Sequence, residues 1–292
     1  MTYTQLWQRI TPLYDPEEAK AIVRMVLEVH FGMSATDIYC GKVNDLSAED
    51  RTSLEKIMQR LEKSEPVQYI IGTAEFGGRT FHVRQGVLIP RPETAELCQW
   101  IEDEITSEDF PVASQGEADR KPRHVLDIGT GSGCIAITLA LDIPSVQVTG
   151  WDISEDALQV ASENATYHHA SVHFVKQDTL AAPFDHDRWD IIVSNPPYIC
   201  DRERQAMAQN VLGFEPGIAL FVPDEDPLKY YRAIGEYAKN ALTKQGVLYF
   251  EINPLQAEPL QEMLQGKGFT DIILQEDMFG KKRFIRCHYP KI

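Results

Sequence analysis

The spacing of apolar residues divides the chain into a helical first part and a second part in which strands and helices alternate. In AKAIVRMVLEVHF, residues 19–31, apolar side chains recur at helical spacing. Asp15-Pro16-Glu17-Glu18 precedes it as a helix start. Aspartate caps the free N–H groups, proline suits the first turn, and two glutamates favour the positive end of the dipole. Gly32 supplies a stop. A second start, Ser47-Ala48-Glu49-Asp50, leads to Leu54, Ile57, Met58 and Leu61 on one face. Residues 1–75 thus read as a helical domain.

The pattern changes at FGGRTFHVRQGVLIP, residues 76–90. Gly77-Gly78 and Gln85-Gly86 are turn signals around short apolar runs, which predicts a β-hairpin linker over 76–92. Residues 94–104 read as helix. The polar stretch 105–123, with two prolines and a glycine, reads as an exposed loop. From His124 the strand candidates are 124–129, 146–152, 172–178, 189–195, 246–252, 271–276 and 283–289, most of them separated by segments long enough for helices. Such alternation predicts an α/β fold over 93–292, with a doubly wound, mostly parallel, seven-stranded sheet. Only DMFGKK joins the last two strands, so that pair should be antiparallel.

Composition narrows the setting. Of 292 residues, 43% are hydrophobic and 25% charged, as in a soluble globular protein with room for two domains. No apolar run reaches membrane-spanning length, and the first residues lack the pattern of a signal peptide. The five cysteines, Cys40, Cys98, Cys134, Cys200 and Cys287, are scattered and form no CxxC pair. That fits reduced thiols in the cytoplasm and neither a disulfide framework nor a zinc site. His168, His169 and His173 read as surface residues, so no metal is expected. The net charge of −16 offers no general attraction to phosphates and argues against nucleic acid as substrate. A monomer is the default expectation.

Two motifs carry chemistry. The first is VLDIGTGSGCIAI, residues 125–137, a buried strand running through Gly129-Thr130-Gly131-Ser132-Gly133 into a helix. Glycines allow a sharp turn and close approach of a ligand, and the helix start offers free N–H groups. The G-x-G-x-G spacing departs from the dinucleotide pattern G-x-G-x-x-G, which places a nicotinamide dehydrogenase well behind. Asp127 would repel a phosphate but suits an ammonium or hydroxyl. Asp152, ending the second strand, suits the hydroxyls of an adenosine ribose. Asp178 and Thr179, ending the third, stand where an adenine could sit. Adenosine joined to an amino acid is S-adenosylmethionine.

The second motif is SNPPYI, residues 194–199, at the end of the fourth strand. Pro196 and Pro197 stiffen the loop and donate no N–H, so nearby carbonyls are free to accept. Asn195 brings a C=O acceptor and an NH2 donor, and Tyr198 a flat face. The set suits a planar NH2 whose two hydrogens are taken by the Asn195 oxygen and a loop carbonyl, turning the nitrogen towards a methyl group. Positioning of this kind is worth roughly 7 to 11 kcal/mol at best.

Together these residues resemble class I methyltransferases that modify planar nitrogens. PVQYIIG (66–72), FGGRTFHV (76–83), VLIPRPETAEL (87–97) and GFEPGIAL (213–220) resemble more narrowly the HemK-type family, which methylates the glutamine amide of the GGQ motif in bacterial peptide chain release factors. The resemblance implies a Rossmann-like methyltransferase domain behind a small helical substrate-recognition domain and a hairpin, with release factors as partners and S-adenosylmethionine as cofactor. It implies that Gly129 to Gly133 and Asp152 bind the cofactor and that Asn195 to Tyr198 hold the glutamine, while Arg91 and Glu93 organise the site. Thr179 falls where relatives carry a bulkier side chain against the adenine. The rivals are an enzyme acting on an adenine or guanine amine in DNA or RNA, which should carry a basic groove and a target-recognition domain, and a module that binds the cofactor without turnover.

Overall fold

The computed structural model describes residues 1–107, 122–143 and 146–291, so most of the expected 105–123 loop lies outside the described residues. The chain forms two compact units. The first comprises residues 1–73, 83–85 and 207–215 and the second residues 74–82, 86–206 and 216–292.

The first unit is built on α1 (Tyr3–Ile10), α2 (Pro16–Val29), α3 (Ala35–Tyr39), α4 (Ala48–Leu61) and α5 (Val67–Ile71). Asp15 caps α2, accepting from the Glu17 and Glu18 amides at 2.9 and 3.0 Å. Ser47 caps α4 through the Asp50 amide at 3.0 Å. Leu54, Ile57, Met58 and Leu61 are buried as their spacing predicts, with Leu6, Ile10, Val23, Val26 and Leu27 in the same core. The short α1 and α3 went unread. Each starts at a reciprocal capping box, Thr2 with Gln5 and Ser34 with Asp37.

In the second unit the hairpin pairs β1 (Thr73–Phe76) with β2 (Arg79–His82). It sits earlier than the expected 76–92, because Gly77-Gly78, with φ of 55° and 73°, is the turn itself and not the hairpin's edge. After α6 (Pro92–Thr106) come β3 (Arg123–Ile128), α7 (Cys134–Asp142), β4 (Val146–Asp152), α8 (Glu155–Tyr167), β5 (Val172–Lys176), β6 (Trp189–Ser194) and β7 (Ile199–Cys200). The chain continues through α9 (Gln209–Phe214), which belongs to the first unit, α10 (Gly217–Leu220), β8 (Phe221–Val222), α11 (Lys229–Ala241), β9 (Leu242–Glu251), α12 (Ala257–Gly266), β10 (Thr270–Glu276) and β11 (Lys282–His288).

The main sheet has seven strands in the order β10-β11-β9-β6-β3-β4-β5. The central pairs are parallel, while β11 runs antiparallel to both β9 and β10. The short link between the last two strands requires this, as expected. Alternate residues feed two cores, Val125, Ile191, Val193, Val247 and Tyr249 on one face and Leu126, Ile192, Leu248 and Phe250 on the other. Burial on both faces is why these strands read as continuous apolar runs. Among the described residues no helix is long and apolar enough to cross a membrane.

Candidate active site

Strand register brings the site together. Ile128 of β3 pairs with Trp151 of β4 and Ser194 of β6, and Ser194 pairs with Phe250 of β9. The next residue on each strand is therefore level with the others: Gly129, Asp152, Asn195 and Glu251. They lie at the carboxyl edge, where ligands bind in doubly wound sheets.

The glycine loop hangs from the end of β4. The Gly129 and Thr130 amides both donate to the Trp151 carbonyl at 2.8 Å. The Gly131 amide donates to Asp152 Oδ2 and the Ser154 amide to Asp152 Oδ1, each at 2.9 Å. Gly133 has φ of 80° at the start of α7, and a Cβ there would meet Ile137 Cδ1 at 2.9 Å and Ala161 Cβ at 3.1 Å. Only glycine meets both demands at this position. From below, the buried Asn164 side chain donates to the Ser132 carbonyl (2.9 Å) and the His82 carbonyl (3.0 Å) and accepts from the His82 amide (2.7 Å). It joins the hairpin to the glycine loop.

One cleft is lined by Arg91, Gly129 to Ser132, Asp152, Asp178, Thr179 and Asn195 to Pro197. Asp127, Gly133, Glu93 and Tyr198 are not among its lining residues. Asp127 differs most from expectation. It is fully buried and accepts from the Thr130 hydroxyl at 2.6 Å, so it braces the loop from beneath. Burial pushes its carboxyl up to about 7, against the Thr130 hydroxyl and the Ala136 amide. Burial also raises Asp152, against the amides of Ser154, Gly131 and Ile153. Asp178 accepts from the Leu180 amide at 2.8 Å.

The fit to S-adenosylmethionine rests on this lining. Asp152 keeps acceptor capacity beyond the backbone amides that bind it, suited to ribose hydroxyls. Ile153 and Leu180 line the cleft yet remain 45% and 44% exposed. They offer apolar surface that a purine could cover. Acidic Asp152 and Asp178 complement a cationic ligand.

The SNPPYI loop is held by residues the motif did not reveal. Asn195 Nδ2 donates to Thr94 Oγ1 at 3.2 Å. Thr94 in turn donates to Glu251 Oε2 at 2.6 Å, and the Tyr198 hydroxyl donates to Glu251 Oε1 at 3.1 Å. Asn253 Nδ2 donates to the Tyr198 carbonyl at 3.2 Å. Glu251 and Thr94 are 1% and 3% exposed. Burial raises the Glu251 carboxyl, opposed by Thr94, Arg283 and Tyr198. A charged residue closing the apolar run GVLYFE on the active edge was the available signal. The expected strand included Glu251 but gave it no role. Among the described residues no group of three or more His, Cys, Asp or Glu could hold a metal ion.

Two domain families match the chain, the PrmC N-terminal domain over residues 12–72 and the methyltransferase small domain over residues 114–213. A release factor glutamine methyltransferase of Bacteroides thetaiotaomicron is 45% identical over 282 residues, covering 96% of each chain. One of Flavobacterium psychrophilum is 36% identical over 286 residues, covering 98% of this chain and 97% of its own. Among solved structures, the human methyltransferase 10 domain containing protein aligns with a TM-score of 0.52 at 17% identity, over 73% of this chain and 88% of that one. The T. thermophilus 16S rRNA N2 G1207 methyltransferase aligns with a TM-score of 0.50 at 20% identity, over 74% and 49%. These two likenesses speak to the methyltransferase fold alone. Near-complete coverage by the curated relatives settles the narrower question: the chain belongs to the release factor glutamine methyltransferase family.

Proposed function

We propose that this enzyme transfers a methyl group from S-adenosylmethionine to the side-chain amide nitrogen of the glutamine in the GGQ motif of bacterial peptide chain release factors. The observation that carries this reading is that Asn195, Pro196 and Pro197 share one cleft with the glycine loop and Asp152. A planar amide and a cofactor thus meet in one place.

When bound beside the glycine loop and Asp152, S-adenosylmethionine would supply an electrophilic methyl on a sulfonium, with the thioether S-adenosylhomocysteine as leaving group. The chain's own residues position the acceptor. The Asn195 side-chain oxygen and a carbonyl of the proline loop take the two amide hydrogens. This points the nitrogen electrons at the methyl carbon and limits their delocalisation into the amide. An amide nitrogen that gained this methyl would become acidic. Its proton leaves through the same acceptors to water, and no strong base is required before attack. Tyr198, anchored on Glu251, keeps the loop in place.

All residues lining the cleft belong to the second unit. We therefore assign methyl transfer to the second unit and recognition of the folded factor to the first, which is built on the helices within residues 1–73. Arg91, at the cleft, and Glu93, on the first turn of α6, organise its rim. Work in the cytoplasm on a translation factor fits cysteines that form no CxxC pair in the sequence.

The test is methyl transfer from labelled cofactor to a purified release factor, beside the factor with its GGQ glutamine replaced, duplex DNA and ribosomal RNA. Label on the intact factor alone is expected. Label on nucleic acid would overturn the substrate assignment and leave only the planar-amine chemistry.

A further inference from the structure

Proton accounting around Thr94 determines which end of the Asn195 amide faces the cleft. A threonine hydroxyl carries one proton. Thr94 gives it to Glu251 Oε2 at 2.6 Å. Towards Asn195 the Thr94 oxygen can then only accept, and the atom it receives from is Nδ2 at 3.2 Å. The two ends of an asparagine amide have nearly the same shape, and a half-turn exchanges donor for acceptor. With its proton already committed, Thr94 would face an inverted amide as one acceptor against another. Thr94 and Glu251 are almost fully buried, so bulk water cannot easily replace either partner.

We propose that Glu251 is a positioning residue: by taking the Thr94 proton it holds Asn195 Nδ2 towards Thr94 and leaves Oδ1 for the N–H of the substrate amide. This rests on the functional reading above. An ionised carboxylate is suited to the task because it only accepts. Its second oxygen accepts from the Tyr198 hydroxyl, so one group fixes both the amide and the aromatic end of the loop. A glutamine in its place could present NH2 to Thr94. Thr94 would then be free to donate, and the Asn195 amide free to invert.

The test is Glu251→Gln in two backgrounds. In the otherwise unchanged enzyme, kcat for transfer to the release factor should fall about a hundredfold. KM for the factor and Kd for the cofactor should stay near their original values. In the Asn195→Asp background the effect should change sign. An aspartate at 195 sets two oxygens against each other at Thr94, and Glu251→Gln relieves this by freeing the Thr94 proton. The double variant should therefore be faster, and melt higher, than Asn195→Asp alone. An unchanged kcat in the first background, or an equal loss of rate and melting temperature in both, would overturn the proposal. A parent enzyme that transfers no methyl to the factor would instead remove the functional reading, and the melting comparison would still decide the relay.

Discussion

Asp152 accepts the Gly131 amide at 2.9 Å, so the carboxylate proposed to bind the cofactor ribose also fixes the loop beside it. Both tasks fall to one side chain. Asp152→Ala should weaken S-adenosylhomocysteine binding about 10- to 100-fold, the range for losing hydrogen bonds to a charged group. Calorimetric titration measures it. Affinity unchanged from the parent would mean that Asp152 serves the loop alone.

Gly133 combines a left-handed backbone with close contacts to Ile137 and Ala161. Gly133→Ala should destabilise the second unit by about 1–3 kcal/mol through overpacking, with backbone strain acting in the same direction. Thermal melting should show a drop of several degrees. Gly77→Ala is the control. Its Cβ would meet nothing within 4 Å, although its φ of 55° still carries strain, so its loss should be the smaller.

Asp127 makes stability depend on pH. Its folded carboxyl holds a proton up to about 7, whereas an ordinary aspartate loses it near 3.8. Between these values the folded chain binds a proton that the unfolded chain has released. The stabilisation is fully present below the ordinary value, falls as pH rises, and is gone above about 7. Asp127→Asn is neutral throughout. Its melting temperature should gain on that of the parent between about pH 4 and about pH 7 and run parallel to it above that. A constant difference over that interval would show that Asp127 does not titrate there.

How far the sequence revealed this arrangement depended on the range of each interaction. The sheet was legible because strands buried on both faces leave apolar runs such as Ile191-Ile192-Val193, and the α2 and α4 starts because a cap acts within three residues. The glycine loop and Asn195 were legible because each sits at the end of its own strand. Thr94 and Glu251 were not, since 157 positions separate the partners and only folding brings α6 against the end of β9. Asp127 misled for the opposite reason. Its place before Gly129 suggested a ligand contact, but the third-next residue, Thr130, takes its carboxylate inside the protein.

The central claim is that Asn195 holds a release-factor glutamine against the cofactor. Peptide mapping by mass spectrometry, after incubation of the factor with parent enzyme and with Asn195→Ala, tests it most directly. The account predicts one added methyl on the GGQ glutamine amide with the parent. It predicts a kcat lower by about 10²–10³ with the variant, at little changed cofactor affinity. A methyl elsewhere on the factor, or an Asn195→Ala rate equal to that of the parent, would contradict it.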